Sequence, residues 1–231
     1  MRIDHFDTWG KYIENPQRKG LNYSIQASSN TLGSSVLSSS EQPQISIRLT
    51  ERSDLKIEYS APFMDNPAPS EAQGRLWGLW EYEVLELFIA GANNEYLELE
   101  FGPHSHHLAL YFKGERQLVE DHVKLEELSF WKDSLQSQSM IDHLQAKVKP
   151  AQWGGSCLIK QEDLPPSFAE NPERVDHSIL TNQSQLNIAI NAFWCFDDHH
   201  DSRQFYCAFP LPGSKPNFHQ PAYFPRCTLH Y

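Results

Sequence analysis

The sequence predicts an all-β protein, a two-sheet antiparallel β-sandwich, and three observations carry that prediction. Apolar residues recur with period two in one segment after another. Turn signals separate those segments at short spacing, and no long stretch shows a convincing helical period. The 231 residues suit one domain with its own core. No repeat or linker divides them, so 1–231 reads as a single sandwich domain with irregular insertions.

The first segment, to about Gln44, is weakly patterned, with eight serines between Ser24 and Ser40; a Ser-rich loop or insertion is expected at about 24–43. Ile45, Ile47 and Leu49 then alternate with Ser46 and Arg48, and Leu55, Ile57 and Tyr59 alternate with Lys56 and Glu58. These are two strands of a hairpin turning at Glu51-Arg52-Ser53. Prolines at 62, 67 and 69 lack the ladder donor, so 61–69 reads as a crossing loop.

Val84-Leu85-Glu86-Leu87-Phe88-Ile89 is apolar on both faces except at Glu86, the pattern of a central strand. After the turn Gly91–Asn94, Leu97, Leu99 and Phe101 alternate with Tyr96, Glu98 and Glu100. Leu108, Leu110 and Phe112 then alternate with His107, Ala109 and Tyr111. A four-residue loop at 102–105 predicts Phe101 opposite His106 and Glu100 opposite His107, leaving a polar face of Tyr96, Glu98, Glu100, His107 and Tyr111. Helical turns are expected around Leu125–Leu135, and strands over Trp153–Ile159, Leu186–Trp194 and Gln204–Phe209. Residues 167–184 read as loop, and Asp197-Asp198-His199-His200-Asp201 as a polar surface turn.

Lys and Arg total 19 against 30 Asp and Glu, a net charge of −11. This balance argues against nucleic acid or an anionic membrane as partner, since both demand a basic face. No apolar run is long enough to cross a membrane as a helix, and Met1–Asp7 has no secretory core, so a cytoplasmic location is expected. Cys157, Cys195, Cys207 and Cys227 form no CxxC pair and read as reduced structural thiols. The Asn22 and Asn182 glycosylation matches carry no weight without secretion.

Several stretches resemble the family of the human chromosome 4 open reading frame 33 product, a family with no assigned activity. They are Ser60–Phe63, Leu79–Glu86, Tyr96-Leu97-Glu98, Pro103–Leu108 and the tail Lys215-Pro216-Asn217-Phe218-His219. The resemblance covers most of 44–112 and 150–224; the Ser-rich stretch and 120–145 are longer than in the family and inherit nothing. More distantly, Glu83–Phe88 followed by a turn and Tyr96 is similar to the Asp-x-Val-Glu-x-Phe strand of family 9 carbohydrate-binding modules and DOMON-like domains. That resemblance implies a sandwich of two antiparallel sheets in domains that bind sugars or, in some branches, haem. The closer resemblance implies a fold and no reaction.

Glu86 interrupts an apolar strand, and a buried carboxylate must be paired or hydrogen-bonded. It is either a ligand-holding acid or a tie between the proline-rich loop and the sheet. Trp77, Trp80 and Tyr82 lie beside Glu81 and Glu83. Rings stack on sugar C–H faces while carboxylates accept hydroxyl protons, so this loop is either a ligand platform or an aromatic plug over the sandwich end.

His104 and His107 match the resembling family's Pro-His-x-x-His pattern, and His219 its terminal histidine. With Glu100 or Glu86 they are candidate metal ligands; the alternative is a solvated Glu100–His107 cross-strand pair. Glu83, Glu86, Glu98 and Glu100 supply carboxylates for glycoside hydrolysis, with nothing to select a pair.

The leading expectation is a non-catalytic module for a small polar, carbohydrate-like ligand. Trp77, Trp80 and Tyr82 would stack, and Glu83, Glu86 and His104 would hydrogen-bond. The alternatives are a metal-dependent enzyme using His104, His107 and His219, or a protein-interaction module. No particular cofactor or oligomeric state is indicated.

Overall fold

The computed structural model describes residues 7–8, 42–133, 151–169, 185–197, 203–209, 211–212 and 217–230. The Ser-rich stretch up to residue 41, both glycosylation matches and residues 198–201 of the polar turn lie outside them. Thirteen strands form among the described residues: β1 Asp7–Thr8, β2 Gln44–Leu49, β3 Leu55–Pro62, β4 Gly74–Arg75, β5 Val84–Ala90, β6 Glu95–Phe101, β7 His106–Lys113, β8 Leu118–Glu120, β9 Glu126–Lys132, β10 Gln152–Ile159, β11 Gln185–Asp197, β12 Arg203–Cys207 and β13 Arg226–His230.

They make two sheets. The smaller runs β2-β3-β10-β9. The larger runs β1-β12-β11-β5-β6-β7-β4, with β13 also on β11 and β8 also on β7. Pairing is antiparallel apart from the two-residue ladders β1–β12 and β4–β7. Among the described residues the only α-helix is the four-residue turn Pro166–Ala169.

The main core lies between the sheets. The apolar parity of β2 and β3 (Ile45, Ile47, Leu49, Leu55, Ile57, Tyr59) packs against that of β5, β6 and β11 (Leu85, Leu87, Ile89, Leu97, Leu99, Ile190, Trp194). Tyr59 stacks on Phe101 across the gap at 4.0 Å. The hairpin of β2 and β3 turns where expected, with Ser53 in the left-handed region at φ 63°.

Every position of β5 is buried, because the large sheet is covered on both faces. On its outer face Phe88, Tyr96, Leu108, Leu110, Phe112 and Phe193 form a second apolar cluster. Two irregular segments roof it. One, 74–82, brings Leu76, Leu79, Trp80 and Tyr82; the other, 217–224, brings Phe218 and Phe224. Gly74 and Gly78, at φ 126° and 88°, provide the left-handed turns that fold the first segment back over the sheet.

Two expectations are corrected. Residues 126–132 are strand β9, not helical turns: Glu126, Leu128, Phe130 and Lys132 alternate with the more exposed Glu127, Ser129 and Trp131. The β6–β7 register is one residue from that expected. Phe101 pairs with His107, Leu99 with Ala109 and Glu100 with Leu108. The loop holds three residues, Pro103-His104-Ser105. Gly102 N–H bonds the His106 carbonyl at 3.0 Å and Ser105 is left-handed at φ 65°. That slip reverses both faces of β7, so the Glu100–His107 pair does not form. The face that looked solvated is the buried outer one. The last expected strand ends at Cys207, and β13, unread in the sequence, follows it.

Candidate functional site

Ladder register brings three glutamates together on the outer face. Phe193, Glu86, Glu100 and Leu108 form one row across β11, β5, β6 and β7. Asn191, Phe88, Glu98 and Leu110 form the next. Residues directly opposite share a face, so Glu86 and Glu100 are neighbours and Glu98 lies diagonal to Glu86. Their exposures are 3%, 0% and 4% for Glu86, Glu100 and Glu98.

The surroundings supply little compensation. The Cys195 thiol donates to Glu86 Oε1 at 3.8 Å, and Arg203 is electrostatically coupled to the same carboxyl. Arg203 itself is engaged elsewhere: Nη2 donates to the carbonyls of Trp80 and Tyr82, both at 2.6 Å, and Nη1 lies 3.4 Å from Asp197 Oδ1. Glu98 and Glu100 hydrogen-bond each other, and Glu100 also takes the Trp80 backbone amide. His219 Nδ1 stands 3.7 Å from Glu98 Oε2 but only 2.7 Å from Tyr96 Oη. The Arg116 backbone N–H donates to that Tyr96 oxygen at 3.2 Å. With the tyrosine proton directed at Nδ1, this nitrogen donates nothing to Glu98.

Burial pushes the Glu86 carboxyl up to about 7, opposed by Arg203 and by the Cys195 thiol. Burial also holds Glu98 and Glu100 well above the usual carboxylate range, and Glu86 raises both further. Burial pulls His219 down to about 4, with the Arg116 charge adding to it. The three glutamates therefore form a proton-retaining carboxyl cluster beside a neutral imidazole.

Each roof segment reaches one of these carboxyls. Glu100 interacts with the Trp80 backbone amide of the first, and Glu98 lies beside His219 of the second. Trp77 is 53% exposed and meets Trp80 edge to face at 5.2 Å. Trp80 and Tyr82 are half-buried. Phe218 stacks on Phe193 at 3.9 Å. Trp77, Trp80, Tyr82 and Glu86 are thus brought to one region, with His219.

Glu83 and His104 are placed elsewhere. Glu83 faces the sheet interface, where Oε1 accepts from Met64 N–H at 3.0 Å and Trp153 Nε1–H at 3.1 Å, and Oε2 from Asn66 N–H at 3.4 Å. The tie between proline-rich loop and sheet that the sequence offered as one reading of Glu86 is made by Glu83. His104 Nε2 lies 3.2 Å from the Asn66 carbonyl, and its ring meets Phe63 edge to face at 5.8 Å. His107 occupies the inner parity of β7, with Phe130 at 6.1 Å. The three histidines lie on different surfaces, and no group of three His, Cys, Asp or Glu residues has metal-holding geometry among the described residues.

Sequence reasoning named Glu98 and Glu100 only among carboxylates for hydrolysis, and Glu100 as a candidate metal ligand; it placed neither in the ligand site and did not name Arg203. The available signal was parity: Glu98 and Glu100 alternate on the strand after Glu86, and any register pairing Leu87 with Leu99 sets them beside it.

The strands define an all-β protein, a two-sheet antiparallel sandwich. It is similar to the crystal structure of a "putative carbohydrate-binding protein" from Bacteroides uniformis, with a TM-score of 0.52 and 17% identity, over 81% of this chain and 78% of that one. No family model matches. Among curated proteins, the chain is 30% identical over 181 residues to the UPF0462 protein C4orf33 homolog of Rattus norvegicus, covering 74% of this chain and 71% of the relative. The Mus musculus homolog is 28% identical over 179 residues, 74% of each chain, and the Homo sapiens protein 27% over 177, 73% and 70%. The chain belongs to the UPF0462 C4orf33 family.

Proposed function

We propose that this protein is a non-catalytic binding module whose outer-face basin takes a small polyhydroxyl, carbohydrate-like ligand. One observation supports the reading: three buried carboxyls, Glu86, Glu98 and Glu100, lie side by side on the outer face of the large sheet, beneath the aromatic side chains of the roof. A ligand rich in hydroxyls offers such carboxyls both donors and acceptors. Glu86, Glu98 and Glu100 accept from it, while Trp80 and Tyr82, with Trp77 at the rim, offer ring faces to its C–H surface. Glu83, bonded to the loop at 63–66 and to Trp153, and His104, bonded to that loop, act in this reading through the scaffold. The similarity in fold to the Bacteroides uniformis protein supports the same ligand class.

The test is calorimetric titration with a panel of mono- and disaccharides. Binding that Trp80→Ala and Glu98→Gln weaken about tenfold or more supports the proposal. A panel without a binder at millimolar concentration refutes it.

A further inference from the structure

Resting on that reading of the outer face, we infer that residues 77–82 form a lid over Glu86, Glu98 and Glu100, which pivots at Gly78 and is latched by the Arg203 guanidinium. The three carboxyls are 3%, 4% and 0% exposed, so whatever reaches them must first displace part of the roof. The segment 77–82 is built to move as one piece between fixed ends.

The chain before it is held on β7, where Gly74 N–H donates to the Ser105 carbonyl at 3.1 Å and Leu76 N–H to the His107 carbonyl at 3.0 Å. The chain after it is held by Glu83, through Met64, Asn66 and Trp153. Between these anchors the hydrogen bonds are mostly internal. Glu81 N–H donates to the Gly78 carbonyl and Tyr82 N–H to the Leu79 carbonyl, both at 3.0 Å, and Trp80 Nε1–H donates to Glu81 Oε1 at 3.1 Å. These bonds survive when the turn lifts. Gly78, at φ 88° and with nothing within 4 Å of where a Cβ would stand, supplies the pivot.

Among the described residues, two groups bond the turn from outside. Arg203 Nη2 donates to the Trp80 and Tyr82 carbonyls, both at 2.6 Å, and Glu100 takes the Trp80 amide. Arg203 stands on β12 with Nη1 3.4 Å from Asp197, so it stays with the sheet when the turn leaves. It touches the lid and not the ligand, and is a positioning residue. Glu100 lies beneath the turn, and a ligand that bonds Glu100 competes with the Trp80 amide for it. Leu79 is the one side chain of the turn that is fully buried; Trp80 and Tyr82 are half-buried and Trp77 is exposed. Opening therefore uncovers little apolar surface, as local openings of low cost do.

The experiment follows amide hydrogen exchange of the full chain at pH 7 by NMR, with no ligand present. In the wild type the amides of Trp80, Glu81 and Tyr82 are expected to exchange about a hundredfold or more faster than those of β5 and β6, which open only with the whole sandwich. Arg203→Met is expected to speed those three amides about tenfold more than it speeds β5 and β6; if that variant does not fold, Arg203→Lys is read in the same way. Exchange of the three amides in step with β5 and β6 in the wild type, or equal acceleration of turn and strands in the variant, overturns the lid. Neither result depends on the sugar titration: sugar binding without separate opening overturns the lid alone, and separate opening in a protein that binds no sugar overturns the binding reading alone.

Discussion

Glu100 is buried completely beside two other carboxyls, so it costs stability. Replacing it by Met removes that cost. Urea denaturation is expected to show Glu100→Met more stable by about 1–3 kcal/mol, with loss of ligand binding. The titration of its neighbours has a definite sign. Glu83 and Glu86 sit near 7 in the folded chain against an ordinary 4.5, so over that interval the folded state holds more protons and stability falls as pH rises. Glu98 and Glu100 extend the effect upward. His219 works in the other direction. Its folded value near 4 lies below the ordinary 6.5, so between them the unfolded state holds the extra proton and stability rises with pH. Above about pH 6.5 only the carboxyls still titrate, and the melting temperature is expected to fall from about pH 6.5 to 8. Differential scanning calorimetry of wild type and Glu86→Gln checks this: the slope is shallower in the variant, and a rise across the same window would contradict the account.

At the scale of elements, Glu83 and Gly155 show how the strands position the site. Glu83 receives three donors from the loop at 63–66 and from β10. Glu83→Ala leaves them buried and unpaired, and should lower stability by at least about 2 kcal/mol in a denaturant melt. Gly155 lies where the Ser129 carbonyl of β9 and the Tyr59 ring of β3 approach β10 too closely for any Cβ. Gly155→Ala is expected to detach β9 and cost about 3 kcal/mol; a loss under 1 kcal/mol would show that β9 is not held as described. β5 and β11 were legible in the sequence because long, strongly apolar strands announce themselves. β9 was not, because an edge strand bracketed by Glu126 and Lys132 buries only half of each inward side chain. The β7 register turned on one residue, Ser105, adopting a left-handed conformation that its identity does not demand. Glu86 stood out within its apolar strand. Glu98 and Glu100 did not, because alternation with leucines reads as a solvated face, and their burial depends on roof segments distant in sequence.

The described residues form a sandwich whose main core is shared by both sheets, with a second, smaller core beneath a loop roof. We propose that the chain folds as one domain, and one transition is then expected on unfolding. Near-ultraviolet circular dichroism, reporting on buried Trp153 and Trp194, and far-ultraviolet signals should share a midpoint, while separated midpoints would indicate independent units. The central claim, that the outer face of the large sheet binds a polyhydroxyl ligand through its glutamates, is tested most directly by saturation-transfer NMR. The measurement uses a panel of neutral and amino sugars with wild type and Glu100→Met. The account predicts transfer to at least one sugar in the wild type and none in the variant; silence in the wild type, or equal transfer in both, would contradict it.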